Sequence, residues 1–369
     1  MTSDEIKNSL AGIIEGEITL DESVRKTASR DASIFEIMPS CVVYPKHERD
    51  IQTVVRFVRD NKAANPELSI TVRSAGTCMS GGAINDSIIL DVTKYMQGIL
   101  EVKATEKDGF GRVLPGTYYR DFDAETKKIG LLMPTYSASR DICTVGGMVG
   151  NNAGGEKSLH YGKTENFVSM LRVVFDDGEV YEIKPLTLSE LQTKVASQTR
   201  EGSIYKAIYD LISTHYDEIT GAKPNVSKNS AGYYLWNVYD KQTGVFDLCR
   251  LIVGSQGTLG IVTEITFRLL PVNKSSKLVV IFLNDLSYIG ELINTVLEYK
   301  PESIESYDDN TLKIAVKFFG DFLKKRGVVG MFKFMFSFLP EFFMMLSGGI
   351  PKIILLVECA GETEQEIDK

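Results

Sequence analysis

The sequence predicts an α+β fold, in which strand-like runs and helical stripes follow one another along one chain. Three observations carry this prediction: a β-α-β-β pattern over residues 39–94, a strand-rich and glycine-rich stretch over residues 95–272, and a polar link at residues 273–277 before a new apolar run. A length of 369 residues suits two or three domains of roughly 100–200 residues each.

The composition excludes several classes of protein. With 43 % hydrophobic and 24 % charged residues, the chain is globular rather than disordered. Its net charge of −8 opposes the phosphate backbone, so no nucleic-acid partner is expected. The acidic start leads into no apolar core, so no secretory signal is expected. Five dispersed cysteines without a C-x-x-C pair predict no disulfide framework and no metal site, and a cytoplasmic location is expected.

Residues 1–37 are predicted to form a polar, helical N-terminal arm. A first lobe follows over about residues 38–94, beginning with the apolar run Cys41–Tyr44, which predicts a strand. Alternation at residues 68–72 and an apolar run at residues 87–92 predict two further strands. Between them, apolar residues recur at the spacing of an amphipathic helix: Ile51, Val54, Val55 and Val58.

A second lobe is predicted over about residues 95–272. Two apolar runs flank Asp176–Glu179, whose Asp-Gly pair tolerates the positive φ of a hairpin turn. Helical stretches are predicted within residues 188–220, and residues 260–269 read as a strand. The polar link then marks a domain boundary, so residues 273–369 are predicted to form a separate part.

Three glycine-rich segments are the most informative feature of the chain. The first, residues 73–82 (RSAGTCMSGG), lies between two predicted strands, where successive N–H groups can hold anionic oxygens. It is neither GxGxxG nor GxxxxGK[ST]. The second, residues 134–155, contains so much glycine that no ordinary helix or strand is expected there. With the third, residues 253–264, these segments predict a large dinucleotide held mainly by backbone groups.

In order and spacing, these motifs resemble the FAD-binding domain of the p-cresol methylhydroxylase and vanillyl-alcohol oxidase class. Within that class the chain is most similar to D-lactate dehydrogenases and the flavin subunit of glycolate oxidase. The resemblance covers about residues 38–272 and implies FAD lying between the two α+β lobes. Residues 301–312 and 353–361 resemble, more weakly, the start of that family's substrate-binding cap, which implies a partial α+β cap domain over residues 273–369.

The resemblance implies the cofactor-binding residues position by position. The residues that would hold the pyrophosphate are Ser74, Ala75, Gly76, Thr77, Cys78, Gly81 and Gly82. Those that would line the ribityl chain and the isoalloxazine are Pro134, Ser139, Thr144, Gly146, Gly147, Asn151, Ala153, Gly154 and Tyr161. Main-chain groups towards the adenine end would come from Gly257, Ile261 and Val262.

Three departures from the family pattern qualify this reading. Relatives that bond FAD covalently often have histidine where this chain has Thr77, and threonine has no ring nitrogen to alkylate, so non-covalent FAD is predicted. Gln256 stands where the family usually has glutamate, a change expected to affect a structural hydrogen bond more than chemistry. The chain also lacks the Glu-His-Gly motif that lies towards the C-terminus of the similar dehydrogenases, so it is expected to stop part-way through the cap.

The predicted activity is oxidation of a D-2-hydroxy acid, lactate-like or glycolate-like, to the 2-oxo acid by hydride transfer to FAD. Such a reaction needs a hydride acceptor, a base for the hydroxyl proton and a cation for the carboxylate. The sequence assigns neither a catalytic residue nor an electron acceptor. The alternative is a non-catalytic or incomplete flavin-binding subunit that needs a partner or a further C-terminal segment for activity.

The stretch 331–346 (MFKFMFSFLPEFFMML) is the most apolar part of the chain. A membrane-spanning helix needs about 20 mostly apolar residues, and Lys333, Pro340 and Glu341 interrupt this one, so a span is not predicted. The stretch is expected to form buried helices or part of a substrate cavity. The alternative is a reversible, peripheral contact with a membrane or a partner subunit.

Overall fold

The computed structural model describes residues 1–226, 228–318 and 351–368, so the stretch 331–346 lies outside the described residues. The helices are α1 (Ser3–Leu10), α2 (Glu22–Ala28), α3 (Glu48–Asn61), α4 (Tyr119–Lys127), α5 (Val145–Gly150), α6 (Ser158–Tyr161), α7 (Leu188–Ala196), α8 (Arg200–Thr214), α9 (Tyr216–Gly221), α10 (Cys249–Ile252), α11 (Ile289–Glu298), α12 (Asp309–Lys317) and α13 (Glu364–Ile367). The strands are β1 (Glu17–Thr19), β2 (Cys41–Tyr44), β3 (Ile70–Arg73), β4 (Ile88–Asp91), β5 (Ile99–Ala104), β6 (Gly109–Val113), β7 (Leu131–Leu132), β8 (Val168–Val174), β9 (Val180–Ile183), β10 (Leu186–Thr187), β11 (Tyr239–Asp240), β12 (Val245–Phe246), β13 (Ile261–Pro271), β14 (Ser275–Leu283), β15 (Ser303–Asp308) and β16 (Ile353–Gly361).

The chain divides into two compact units. The first comprises Met1–Gly155 and Gly162–Val272, and the second comprises Glu156–Tyr161 and Asn273–Lys369. The division after Val272 falls at the polar link that the sequence singles out. The sequence gives no sign that the hexapeptide 156–161 belongs to the second unit.

The first sheet of the first unit has the strand order β1-β2-β4-β3. Strands β2 and β3 both run parallel to β4, with Cys41 and Ile70 each opposite Ile88. Strands β2 and β3 lie on either side of β4, and α3 provides the crossover connection between these two parallel strands. The buried face of α3, with Ile51 and Val54 fully buried, packs into the core that the strands share. The predicted β-α-β-β pattern is therefore confirmed.

The predicted helical arm is only partly helical. Helices α1 and α2 lie in it, but Glu17–Thr19 forms β1 and pairs antiparallel with β2. Ile6 and Leu10 of α1 are buried in the same core as α3, so the N-terminal residues are part of the first unit. A three-residue edge strand has too short a pattern for period-two alternation to reveal it.

The second sheet is antiparallel, with the order β5-β6-β13-β8-β9 and with β7 paired to the end of β13. Its central strand β13 is the predicted strand at residues 260–269, and Ile265, Phe267 and Leu269 on it are fully buried. The predicted hairpin is confirmed as β8 and β9. Gly178 has φ +76° in the connecting turn, the left-handed backbone that glycine favours.

A small third sheet, with the order β10-β12-β11, lies in the same unit. The predicted helical stretches over residues 188–220 are α7, α8 and α9. Tyr205 of α8 packs against Phe246 of β12 with their ring centroids 5.9 Å apart. This packing attaches the helices to the sheet, since both rings are fully buried.

The second unit contains an antiparallel sheet with the order β14-β16-β15. Its central strand β16 buries Ile354, Leu355 and Val357. The apolar runs at residues 278–283 and 353–361 correspond to β14 and β16. In the described part of the chain, no helix has the length and apolarity that crossing a membrane requires.

Candidate cofactor-binding site

The loop between β3 and β4 carries unused backbone donors. From Ser74 to Gly82, none of the N–H groups donates a hydrogen bond to another group in the described part of the chain. Gly76 and Gly81 have φ of +66° and +80°, so the loop turns through backbone that glycine adopts readily. Free N–H groups in succession form a concave nest for anionic oxygens. The loop can therefore bind a diphosphate through its backbone.

The side chain of Arg73, the residue before this loop, binds backbone carbonyl groups. Its Nη1 donates to the carbonyl of Ala83 at 3.2 Å and its Nη2 to the carbonyl of Arg30 at 2.8 Å. Burial lowers the pKa of Arg73. A Cβ on Gly76 would lie 2.4 Å from Nη2 of Arg73. Glycine is therefore needed at position 76 both for its φ and for the space that the guanidinium occupies.

The second glycine-rich segment contains α5, so the expectation that it forms no ordinary helix is wrong. The physical reason is close packing: a Cβ on Gly146 would lie 2.6 Å from the Cβ of Pro115. A Cβ on Gly147 would lie 3.4 Å from the Cβ of Ser74 and 3.5 Å from Oγ1 of Thr144. The small residues let this helix lie directly against the loop Ser74–Gly82 and the turn that carries Pro115.

The third segment is attached to α5 by backbone hydrogen bonds. The N–H of Gly254 donates to the carbonyl of Val149, and that of Gln256 to the carbonyl of Gly150, both at 2.9 Å. Gln256 has φ +53°, a left-handed conformation that is uncommon for a residue with a side chain. Its Oε1 lies beside Gly82, where a Cβ would be only 2.6 Å away. The three glycine-rich segments are thus held together by direct contacts.

Together the three segments enclose a cavity of about 580 Å³. Such a volume lies within the range of roughly 300–1,000 Å³ that is usual for ligand sites. The predicted residues that line it are Ser74, Ala75, Gly76, Thr77, Cys78, Gly82, Ser139, Thr144, Gly146, Gly147, Asn151, Ala153, Gly257, Ile261 and Val262. Their contact with a cofactor stays a prediction.

Four predicted residues do not line this cavity within the described part of the chain. Gly81 faces the ring of Phe35, which a Cβ would approach to 3.1 Å. Pro134 is buried, and Gly154 is partly buried beyond the end of α5. Tyr161 belongs to the second unit. These four positions come from the family resemblance, and their contact with a cofactor stays a prediction.

The cavity is also lined by residues that the site prediction omits. Pro115 comes from the turn after β6, and no sequence signal marks it. Ser230 comes from the segment Lys228–Tyr233, one of the motifs on which the resemblance rests. Gln256 and Cys143 lie inside the glycine-rich segments, so their position in the sequence could have predicted that they line the cavity. Burial raises the pKa of the Cys143 thiol, which keeps it protonated near neutral pH.

The cavity suits FAD in two respects. Thr144 is 1 % exposed and its Oγ1 has no hydrogen-bond partner among the described residues, so a cavity-lining hydroxyl is available to a ligand. The unused N–H groups of residues 74–82 supply the positive ends of dipoles for a diphosphate. None of the described lining residues is Lys, Arg or His, so backbone groups would have to provide this attraction.

The three histidines lie elsewhere. His47 precedes α3 and has its Nε2 3.3 Å from a carboxylate oxygen of Glu15. His215 has its Nδ1 3.1 Å from Glu218 on α9, and His160 packs edge-on against Tyr161 in the second unit. Among the described residues, no group of three or more His, Cys, Asp or Glu is arranged to hold a metal ion. No histidine is thus assigned to chemistry.

A separate buried polar cluster lies within the second unit. The carboxylate of Glu302 accepts hydrogen bonds at 2.7 Å from Nζ of Lys157 and from the hydroxyl of Tyr161, and at 3.0 Å from Nδ2 of Asn273. Burial alone raises the pKa of Glu302, but the bonds from Lys157 and Tyr161 outweigh it and the net pKa is lowered. Burial and the bond to Glu302 raise the pKa of Tyr161. The Tyr161 hydroxyl is thus engaged within this unit, and its predicted contact with a cofactor stays a prediction.

Comparison with known sequences identifies the domain around the cavity. Residues 39–184 match the family described as the FAD binding domain, which confirms the predicted domain type and FAD as its cofactor. A D-2-hydroxyglutarate dehydrogenase of Pseudomonas putida is 29 % identical over 302 residues, covering 82 % of this chain and 30 % of that protein. The glycolate oxidase subunit GlcD of Bacillus subtilis is 26 % identical over 320 residues, covering 85 % and 55 %. A D-lactate dehydrogenase of Anaerostipes hadrus is 27 % identical over 290 residues, covering 76 % and 47 %.

The chain therefore spans about 30 % of the D-2-hydroxyglutarate dehydrogenase and about half of the other two relatives. Among solved structures, an alkyldihydroxyacetonephosphate synthase superposes with a TM-score of 0.68 at 14 % identity, covering 99 % of this chain and 57 % of that one. At that identity the likeness concerns the fold alone. It agrees with the predicted mixture of helices and sheets around a FAD-binding domain.

Proposed function

We propose that this chain is an FAD-dependent oxidoreductase that oxidises a D-2-hydroxy acid to the corresponding 2-oxo acid. The observation that carries the proposal is the loop from Ser74 to Gly82, which has unused N–H groups and lines a cavity, except at Gly81, inside a domain that matches a FAD-binding family. Bound FAD would supply the hydride acceptor that this oxidation needs.

The chain's own residues would bind and orient this cofactor. Backbone N–H groups of residues 74–82 would hold the diphosphate, as a nest of aligned donors does. Thr144 would offer its unpartnered hydroxyl, and Gly147 would leave room beside Ser74. The base and the carboxylate-binding cation are not assigned to any described residue.

The FAD is proposed to be non-covalent. Thr77 lines the cavity at the position where a histidine would be needed for the covalent bond seen in similar proteins. A hydroxyl-bearing side chain can donate to or accept from the cofactor without forming a bond to it.

The substrate class follows from the relatives, whose names include D-2-hydroxyglutarate, D-lactate and glycolate. The test is anaerobic mixing of the flavin-loaded protein with each of these acids. At least one is expected to bleach the visible flavin band, and L-lactate is the stereochemical control. Failure of a broad panel of 2-hydroxy acids to reduce the flavin would show that the substrate class is wrong.

A second candidate is a flavin-binding subunit that turns over only with a partner. It is favoured by one observation: the relative from Bacillus subtilis is itself named as a subunit. Recovery of acid-dependent bleaching on adding a co-purifying protein would support this candidate. Bleaching by the isolated chain would exclude it.

Two finer predictions remain proposals. The second unit is proposed to be part of a substrate cap, and the stretch 331–346 is proposed to form buried helices or part of a substrate cavity. The alternative for this stretch is a peripheral contact with a membrane or a partner subunit of an otherwise cytoplasmic protein. Flotation with liposomes tests this alternative. A chain with Phe336 and Phe342 changed to serine is the control, because it loses apolar area at the same stretch.

A further inference from the structure

Lys163 is a buried cation without a carboxylate partner. It is 9 % exposed, and in the described part of the chain no carboxylate oxygen lies within ion-pair distance of its Nζ. Burying a charge costs free energy unless polar groups compensate for it. Burial accordingly lowers the pKa of Lys163. The hydrogen bonds that Lys163 makes must therefore offset the free-energy cost of burying its charge.

The Nζ of Lys163 binds the segment of residues 228–234. It donates to the carbonyl of Asn229 at 2.6 Å and lies 3.4 Å from the hydroxyl of Tyr234. The Tyr234 hydroxyl donates to the same carbonyl, and Tyr234 itself is 7 % exposed. Ser230, the residue after Asn229, lines the cavity. Lys163 therefore holds the residue beside a cavity-lining position.

The residue that follows Lys163 is bound to a second cavity-lining residue. The next residue, Thr164, donates both its N–H, at 3.1 Å, and its hydroxyl, at 2.7 Å, to the carbonyl of Ala153. Ala153 also lines the cavity. Lys163 thus connects two cavity-lining positions, Ala153 and Ser230, through one residue on each side.

Segment 228–234 has little else to position it. Within the described part of the chain, no backbone–backbone hydrogen bond joins residues 228–232 to another segment. Its internal turn is closed by the Asn229 side chain, which accepts from the N–H of Ala231. At its far end, the hydroxyl of Tyr233 pairs with Oγ1 of Thr258, in the third glycine-rich segment, at 2.7 Å. A few side-chain anchors thus determine where the segment lies.

We infer that Lys163 is a positioning residue of the cofactor cavity, which holds segment 228–234 across it and slows release of the bound dinucleotide. This inference rests on the proposed function, since it takes the dinucleotide to be FAD. Lys163 acts through Asn229 and Ser230 rather than by touching the reacting atoms.

The test compares Lys163→Met, Lys163→Arg and the control Lys62→Met in the full chain. Lys62 also donates to two carbonyls, those of Pro66 at 2.5 Å and Leu68 at 2.8 Å, but it does not line the cavity. Lys163→Met is expected to weaken FAD binding by about tenfold or more, the usual effect of losing a charged hydrogen bond. The change should lie mainly in the dissociation rate, measured by the return of flavin fluorescence on dilution.

Two readouts separate positioning from general stability. In the apoprotein, Lys163→Met should increase trypsin cleavage after Lys228, while the melting temperature should change no more than in Lys62→Met. Lys163→Arg keeps the charge and the donors, so it should restore most of the affinity. An unchanged FAD dissociation rate, or a loss of apoprotein melting temperature without faster cleavage at Lys228, would overturn the inference.

A second variant keeps the test decisive if Lys163→Met does not fold. Tyr233→Phe removes only the hydroxyl of an exposed ring, and with it the far anchor at Thr258. It is expected to accelerate FAD release in the same direction, and no acceleration would contradict the inference. Absence of FAD binding by the unaltered chain would instead refute the proposed function, so the two failures are distinguishable.

Discussion

The guanidinium of Arg172 binds the carboxylate of Glu48 through two hydrogen bonds, from Nε at 3.1 Å and from Nη2 at 2.8 Å. Arg172 lies on β8 in the antiparallel sheet, and Glu48 is the first residue of α3, which crosses over the parallel sheet. The hydroxyl of Thr263 on β13 donates to the same carboxylate at 2.6 Å. One carboxylate thus links α3, which packs on the first sheet, to strands β8 and β13 of the antiparallel sheet.

Glu48→Gln is expected to destabilise the first unit by about 1–2 kcal/mol, because it weakens charged hydrogen bonds at a half-buried site. Burial alone raises the pKa of Glu48, but the bonds from Arg172 and Thr263 outweigh it and lower the net pKa below 4.5. A carboxylate with a lowered pKa stabilises the fold above its unfolded pKa, and this contribution is lost as the pH falls through the folded pKa. The measurement is the urea midpoint at pH 7 and at decreasing pH below 4.5.

The control for this prediction is Asp176→Asn, which removes the carboxylate from the exposed pair with Arg200. Exposed pairs contribute little, so a change below about 0.5 kcal/mol is expected. Equal effects of the two substitutions would contradict the role given to Glu48. So would an acid dependence that Glu48→Gln leaves unchanged.

Gly147→Ala is expected to weaken FAD binding without unfolding the chain. The added methyl group would lie between Ser74 and Thr144, at ordinary contact distances, and both of these residues line the cavity. In a helix such as α5, the change to alanine by itself favours folding by about 0.4–1 kcal/mol. Titration of the apoprotein with FAD should show an affinity lowered by about tenfold, the effect of losing ~1.4 kcal/mol.

Gly290→Ala is the matched control, since it lies in α11 of the second unit and a Cβ there meets nothing within 4 Å. It should leave FAD affinity unchanged. If Gly147→Ala binds FAD as tightly as Gly290→Ala does, the cofactor does not occupy the space between Ser74 and Thr144.

Acid precipitation should release the cofactor. Because Thr77 lines the cavity and has no ring nitrogen that could bond to the flavin, the protein is expected to pellet without colour and the FAD to stay in the supernatant. Absorbance of both fractions measures this directly. A yellow pellet, or a fluorescent protein band after denaturing electrophoresis, would show a covalent bond through another residue.

Glu302→Gln is expected to destabilise the second unit by about 3 kcal/mol, because it leaves the ammonium of Lys157 buried with a weakened partner. Hydrogen exchange of the β15 and β16 amides measures the effect. Asp368→Asn removes the carboxylate of the exposed pair with Lys277 in the same unit and should leave these amides unchanged. Equal exchange in the two variants would show that the buried cluster does not stabilise the sheet.

The sequence predicts the local elements well because their signals are local. The 3.6-residue spacing of Ile51, Val54 and Val58 is sufficient for α3, and the Asp-Gly pair is sufficient for the turn between β8 and β9. Strand β1 is different, since three residues acquire strand geometry only by pairing with β2. Helix α5 is also different. Its glycines leave space for Pro115 and Ser74, which pack against it and are distant in sequence.

The candidate site shows the same limit. The small residues of Ser74–Gly82 alone fit either a plain turn or a ligand-binding loop, and the three glycine-rich segments together predict a dinucleotide site. Pro115 and Ser230 reach the cavity only through the tertiary fold. Tyr161 follows a glycine-rich motif in sequence, yet its hydroxyl donates to Glu302 of the second unit. The predicted contact of Tyr161 with the cofactor stays a prediction.

The hexapeptide 156–161 has a practical bearing on how this protein can be dissected. A chain that ends at Val272 would keep Lys157 and Tyr161 but lose Glu302, whose carboxylate both of them bind. The Lys157 ammonium would then lack this carboxylate partner. To express the first unit alone, residues 156–161 should also be replaced by a short glycine-serine linker, with the rest of that unit unchanged. Because residues 156–161 belong to the second unit, the two units are interleaved in sequence, and no single cut of the chain separates them.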